Sequence, residues 1–153
     1  MSAHTPAHGG SAGTTYDRPL ADDLAQSTGR AINQAYGLLK FTFTIAPIIV
    51  GLDKFFDKLV NWDHYLSGFL SRLVGGHDHQ FMMAVGVVEI VAGIGVALKP
   101  RIFAYVVAAW LWGIIINLLL VPGYFDIALR DFGLSLAALA LGRLSSHVHA
   151  HTH

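Results

Sequence analysis

Apolar residues along this chain gather into four long blocks separated by short polar breaks. The first block runs over about 31–52, the second from Phe81 to Leu98, the third from Ile102 to Val121 and the fourth from Tyr124 to about Leu144. A helix needs roughly 20 residues, at about 1.5 Å rise each, to cross the hydrocarbon core of a bilayer, and each block is near that length. Pro47 should kink the first. Lys99-Pro100-Arg101 closes the second, the third holds no charged residue, and Pro122-Gly123 makes a tight turn after it. So short a turn demands that its two helices run antiparallel. The pattern predicts an all-α, four-helix transmembrane bundle with spans at about 31–52, 81–98, 102–121 and 124–144.

Between the first two blocks the pattern changes. Leu52, Phe55, Phe56, Leu59, Leu66, Phe69, Leu70, Leu73 and Val74 fall at helical spacing, while Asp53, Lys54, Asp57, Lys58, Asp63 and Arg72 fill the opposite face. This is too charged for a span and reads as an amphipathic element, 53–74, lying in the membrane interface. Trp62 and Tyr65 suit the headgroup level, and Gly75-Gly76 ends the segment. Residues 1–30 are polar and rich in Gly, Ser and Thr; they read as a flexible tail, with a short helix from Asp22 leading into the first span. They contain no apolar core of a signal peptide, so the first span is expected to act as an uncleaved anchor. Residues 145–153 form a second polar tail, rich in His.

Composition agrees with the pattern. Hydrophobic residues make up 54% of the 153 and charged residues 13%, against about 25% charged in soluble domains. The formal net charge is zero, with no basic cluster, so nothing favours nucleic acid as a partner. Cysteine is absent, which excludes disulfides, thiolate nucleophiles and Cys-ligated metal centres in the chain. Four spans place both termini on one side. Lys99 and Arg101, with Arg18, Arg30 and Arg143 near the termini, mark that side as cytoplasmic in a plasma membrane; Lys54, Lys58 and Arg72 oppose this, nearly matched by Asp residues.

Four ionisable residues fall within the predicted spans: Lys40, Glu89, Arg130 and Asp131. A charge at the bilayer centre costs on the order of 2.5–3.5 kcal/mol on insertion scales, so such groups should face inward and pair. Depth along the helices pairs Glu89 with Arg130, leaving Lys40 and Asp131 to form a second pair or join one network. Such a set serves either as a structural lock on helix register or as a proton-accepting or quinone-contacting site. Gly86, Gly93 and Gly95 allow close helix packing. Asn117 is the one amide of the third span, free to bond a neighbouring helix or a ligand. Trp110 and Trp112, away from the interfacial belt, serve packing or ring stacking. His77 and His79 beside Asp78, and His147 and His149 in the alternating terminal run, are weak candidates for metal binding, since a tail has no second shell to orient imidazoles. No phosphate loop, dinucleotide fingerprint, haem-bracketing His pair or Ser/His/Asp arrangement is present.

Several stretches together resemble the DoxX/DoxD-like family of small four-helix integral membrane proteins. Gly51-Leu-Asp-Lys-Phe55 is similar to the Gly-x-x-Lys-Phe at the end of that family's first helix. Residues 60–66, VNWDHYL, resemble the aromatic segment that follows it in one branch. Gly86-Val-Val-Glu89 followed by Gly93 is similar to the Gly-x-x-Glu-x-x-x-Gly pattern, and residues 128–141, ALRDFGLSLAALAL, to the Arg-Asp-bearing last helix. The resemblance covers about Tyr36 to Leu144. It implies a bilayer fold and quinone-linked redox work, with other membrane subunits or further copies of the chain as partners. Some family members form membrane subunits of a thiosulfate:quinone oxidoreductase. The expected function is an accessory subunit of a membrane redox complex with no covalently bound cofactor. The alternatives are a quinone-binding oxidoreductase subunit, and a small transporter or metal-handling protein.

Overall fold

The computed structural model describes residues 17–56, 58–59 and 61–150, except for the side chains of 17, 18, 63, 64, 149 and 150. Among them are five α-helices and one 3-10 turn, and no strand. Helix α1 is Asp17–Phe56; a 3-10 turn at Trp62–Tyr65 leads to the short α2, Gly68–Leu73; then come α3, Asp78–Leu98, α4, Pro100–Leu119, and α5, Phe125–Ala150. The chain divides into two units, Met1–Ile32 and Asn33–His153. In the first, the described part is the opening stretch of α1, with Leu20 and Leu24 exposed. Everything below concerns the second.

Three helices are long and apolar enough to cross a membrane: α1 over Pro19–Phe56, α3 and α4. The fourth predicted span lies within α5, whose 26 residues suffice in length, but Asp126, Arg130, Asp131 and Arg143 dilute its apolar character. Helix limits also differ from the sequence reading. Helical structure begins at Asp17 rather than Asp22, so the tail reading fails for 17–30, and residues 1–16 lie outside the described set. Helix α5 runs on through Ser145 and Ser146, where sequence predicts a tail; their hydroxyls donate to the Gly142 carbonyl at 3.3 and 3.1 Å, so their polar atoms are satisfied within the helix. Pro47 sits inside α1 without ending it.

The amphipathic element at 53–74 is the largest departure. Its first residues belong to α1, and among the described residues beyond it only the 3-10 turn and the six residues of α2 are helical. Part of the charged face predicted there is not a surface: Asp53 and Lys54 are buried, 6% and 3% exposed, while Lys58 and Arg72 are exposed. Ser67 caps α2, its Oγ accepting from Leu70 N–H, and Ser71 Oγ donates to Asp78 at the start of α3. Gly75 and Gly76, at φ 67° and 77°, reverse the chain between α2 and α3 in a conformation that favours glycine.

Glycine sets how closely α1 approaches α3. A Cβ on Gly51 would lie 2.6 Å from the Gly86 carbonyl oxygen, and one on Gly86 would lie 2.6 Å from the Gly51 carbonyl oxygen. Gly93 meets the Thr44 carbonyl in the same way. Contacts from Thr44 up to Lys54 on α1 thus match contacts from Gly93 down to Gly86 on α3, and the helices run antiparallel. Helix α5 packs antiparallel along α4, with Gly142 against the Tyr105 ring at one end and Phe132 edge-on to Trp112, centroids 5.8 Å apart, farther along. The core that forms among α1, α3, α4 and α5 is built largely from small side chains: Ala92, Val96, Ala104, Ala108 and Ala138 with Phe43 and Leu141.

Large apolar side chains point the other way. Leu38, Phe41, Ile45, Ile49 and Leu52 form an exposed stripe on α1, and Val87, Val91, Ile94 and Leu98 another on α3. Ile102, Ile116 and Leu119 on α4 and Leu129, Leu136 and Leu139 on α5 repeat the pattern. Soluble domains bury such residues and expose charge. Here Lys54 and Glu89 are inside and the aliphatic side chains outside.

Candidate functional site

The glycine contact of α1 and α3 also creates the one deeply buried ion pair that the described residues form. Gly51 and Lys54 are one turn apart on α1, as are Gly86 and Glu89 on α3. Because neither glycine has a side chain, Gly86 lies against the stem of Lys54 and Gly51 against that of Glu89. The two heads meet, with Lys54 Nζ donating to Glu89 Oε2 at 2.7 Å and side-chain exposures of 4% and 10%. Each ion supplies what the other lost with its water, a balance that holds only while both are present.

The segment after α1 folds back to cover the pair. Asp53 Oδ1 accepts from the backbone N–H groups of Lys58 and Leu59 at 3.1 and 2.9 Å, and its Oδ2 accepts from Trp62 Nε1 at 2.8 Å. That places the Trp62 ring over Lys54, Nζ lying 3.7 Å from the centroid. A cation against an indole face is worth about 0.5–2 kcal/mol, the more so when desolvated. Trp62 continues into an aromatic row, with Tyr65 at 5.8 Å and Tyr124 a further 4.7 Å on. Asn117 of α4 holds the same segment from the other side. Its Nδ2 donates to the Tyr65 carbonyl at 2.7 Å and its Oδ1 accepts from Ser67 N–H at 2.9 Å.

Glu89 is where the four long helices converge. From α4, Trp110 brings its indole Nε1 near the carboxyl, but out of hydrogen-bonding geometry, so this N–H is buried and unpaired. From α5, Asp131, half-buried, is close enough to act on Glu89 through space, and Arg130 acts on Asp131 in turn.

Of the four ionisable residues placed within the spans by sequence, Asp131 comes within electrostatic reach of Glu89, and neither Arg130 nor Lys40 pairs with that carboxyl. Arg130 is exposed and makes no ion pair with Glu89; Asp131 is the residue of that pair that α5 turns toward the interior. Lys40 is half-buried and pairs with neither Asp131 nor Glu89. It precedes Lys54 by fourteen residues, about 21 Å along a helix. Asn117 binds the connecting segment rather than a neighbouring helix. His77 and His79 are exposed, and His77 Nδ1 lies 3.2 Å from the Val74 carbonyl at the end of α2. His147 is exposed on α5, and the side chain of His149 lies outside the described residues. Among the described residues no three His, Asp or Glu side chains gather as a metal site would require.

Sequence does not mark Asp53, Lys54 and Trp62 as site residues, although Gly51-x-x-Lys54 is part of the family resemblance. Ending the first span at Leu52 put Lys54 outside the helix and on a polar face. Compared with known proteins, the chain matches no family model, no curated protein and no solved structure.

Proposed function

We propose that this chain is a DoxX-like integral membrane protein with four crossing helices, α1, α3, α4 and α5. In this reading it serves as a non-catalytic subunit of a membrane redox complex, in the plasma membrane with both termini cytoplasmic. One observation supports the family reading above the others. Gly51–Phe55 and Gly86–Glu89, two of the stretches on which the resemblance rests, are far apart in sequence yet pack on each other and join Lys54 to Glu89. Asp131, in the Arg-Asp pair of the last helix, is close enough to act on the same carboxyl through space. The resemblance thus follows the elements of one buried site rather than scattered positions.

A subunit role fits the outward faces. Each long helix presents aliphatic side chains that lipid or an apolar partner helix can cover, while Lys54 and Glu89, already neutralising each other, offer no open catalytic group. Purification from its own membranes in mild detergent tests this. Other membrane proteins should co-purify in fixed proportion with the chain, and recovery of a lone monomer or homodimer speaks against it.

The unpaired Trp110 N–H beside Glu89 favours a second reading, in which a quinone carbonyl takes that bond and Lys54, Glu89 and Asp131 line the pocket. Glu89→Gln should then stop quinone reduction by the purified complex while the protein remains folded; unchanged turnover removes this reading.

A further inference from the structure

Acidic residues are segregated along the second unit. From Asn33 onward every Asp and Glu lies in or beside the α1–α3 connection, at mid-helix, or in the first two turns of α5. The opposite end, where α3 turns into α4 and where the last turns of α5 arrive, has none. It has cations instead. Lys99 and Arg101 flank the turn and Arg143 stands on α5, all exposed. The Gly142–Tyr105 contact brings Arg143 to the first turns of α4. Lys40 joins them, because Thr44 packs on Gly93 and the antiparallel path of α1 then brings Lys40 level with the end of α3. Lys40, which sequence places within the first span as a partner for Asp131, thus lies near the end of the bundle.

Directly inward of these cations the surface turns apolar. Leu98, Ile102 and Tyr105 are exposed by 76%, 58% and 42%. Cations gathered at one end of the bundle beside exposed aliphatic and tyrosine side chains match the two halves of a phospholipid, phosphate outward and acyl chain inward. An acidic headgroup adds a net charge that the collar complements and a zwitterionic one does not. We infer that the end of the bundle formed by Lys40, Lys99, Arg101 and Arg143 is a binding surface for anionic phospholipid. This rests on the membrane reading above and goes beyond it, since a bundle can cross a bilayer without preferring any headgroup.

The full chain, reconstituted into nanodiscs of mixed phosphatidylglycerol and phosphatidylcholine and then released into detergent, should retain phosphatidylglycerol in preference by at least about fivefold, as seen by native mass spectrometry. The Lys40→Gln/Lys99→Gln/Arg101→Gln/Arg143→Gln variant should lose that preference. Lys58→Gln/Arg72→Gln, in the α1–α3 connection, should keep it. Inorganic phosphate should not displace the lipid, because it has nothing to place on Leu98 and Ile102. A chain that reconstitutes but retains both lipids equally overturns the inference and leaves the membrane reading intact. Equal loss of preference in the two variants, or displacement by inorganic phosphate, also overturns it. A chain that stays in water without detergent overturns both.

Discussion

Lys54 and Glu89 show why a buried charge must be judged with its partner. Removing one leaves the other desolvated and unpaired, which costs about 3–5 kcal/mol, whereas replacing both by apolar residues of similar size is close to neutral. Lys54→Met and Glu89→Leu should each therefore destabilise the purified protein by about 3–5 kcal/mol in denaturant unfolding, and the double variant should recover most of the loss. If the two single losses simply add, the pair is not coupled as the 2.7 Å contact requires. Asn117→Ala should cost about 1–3 kcal/mol by leaving the Tyr65 carbonyl and Ser67 N–H without their partner. It should also speed proteolysis between α1 and α3; an unchanged cleavage rate would mean that other contacts hold this segment. Which residues would be charged and inside was partly legible in sequence, since a Glu at mid-span has to be paired. Which cation it meets was not. Depth alone favoured Arg130, whereas the choice of Lys54 depends on helix rotation and on α1 reaching Phe56.

At the scale of elements, two kinds of helical glycine contrast. Gly51, Gly86 and Gly93 face a neighbouring backbone, and a side chain there has no space to enter. Gly113 and Gly133 have open space around them. Gly86→Val should push α1 off α3 and break the Lys54–Glu89 contact, with a loss of several kcal/mol of the order seen for overpacked or broken buried sites. Gly113→Ala and Gly133→Ala should be neutral or should raise stability by up to about 1 kcal/mol through helix propensity. Thermal unfolding of the three variants in one detergent checks both expectations, and equal losses at all three positions would contradict them. Sequence located α3 and α4 to within three residues at each end, because apolar runs closed by Gly-Gly, Lys-Pro and Pro-Gly breaks leave little freedom. It misplaced the end of α1 because Asp53 and Lys54 look like an exit into water. Their burial comes from tertiary contacts, the Trp62 lid and the glycine crossing, which one-dimensional periodicity does not register.

For the whole molecule, the polarity of the second unit is inverted. The Lys54–Glu89 pair and Asp53 lie within, while many isoleucine, leucine and valine side chains lie on the outside. In water that surface would drive aggregation; in hydrocarbon it is the stable arrangement. The absence of cysteine gives direct access to this question, since every introduced thiol is the sole one in the chain. Val91→Cys on α3 and Ile116→Cys on α4 replace residues exposed by 56% and 59%. Gly123→Cys sits in the turn between α4 and α5, and Lys99→Cys in the turn between α3 and α4. Labelling of intact membranes with a water-soluble, membrane-impermeant maleimide should leave Val91→Cys and Ile116→Cys unmodified until detergent denatures the protein. Lys99→Cys and Gly123→Cys should react from opposite faces of the membrane. Rapid labelling of the Val91 and Ile116 positions in intact membranes would show water on the aliphatic faces and contradict the account.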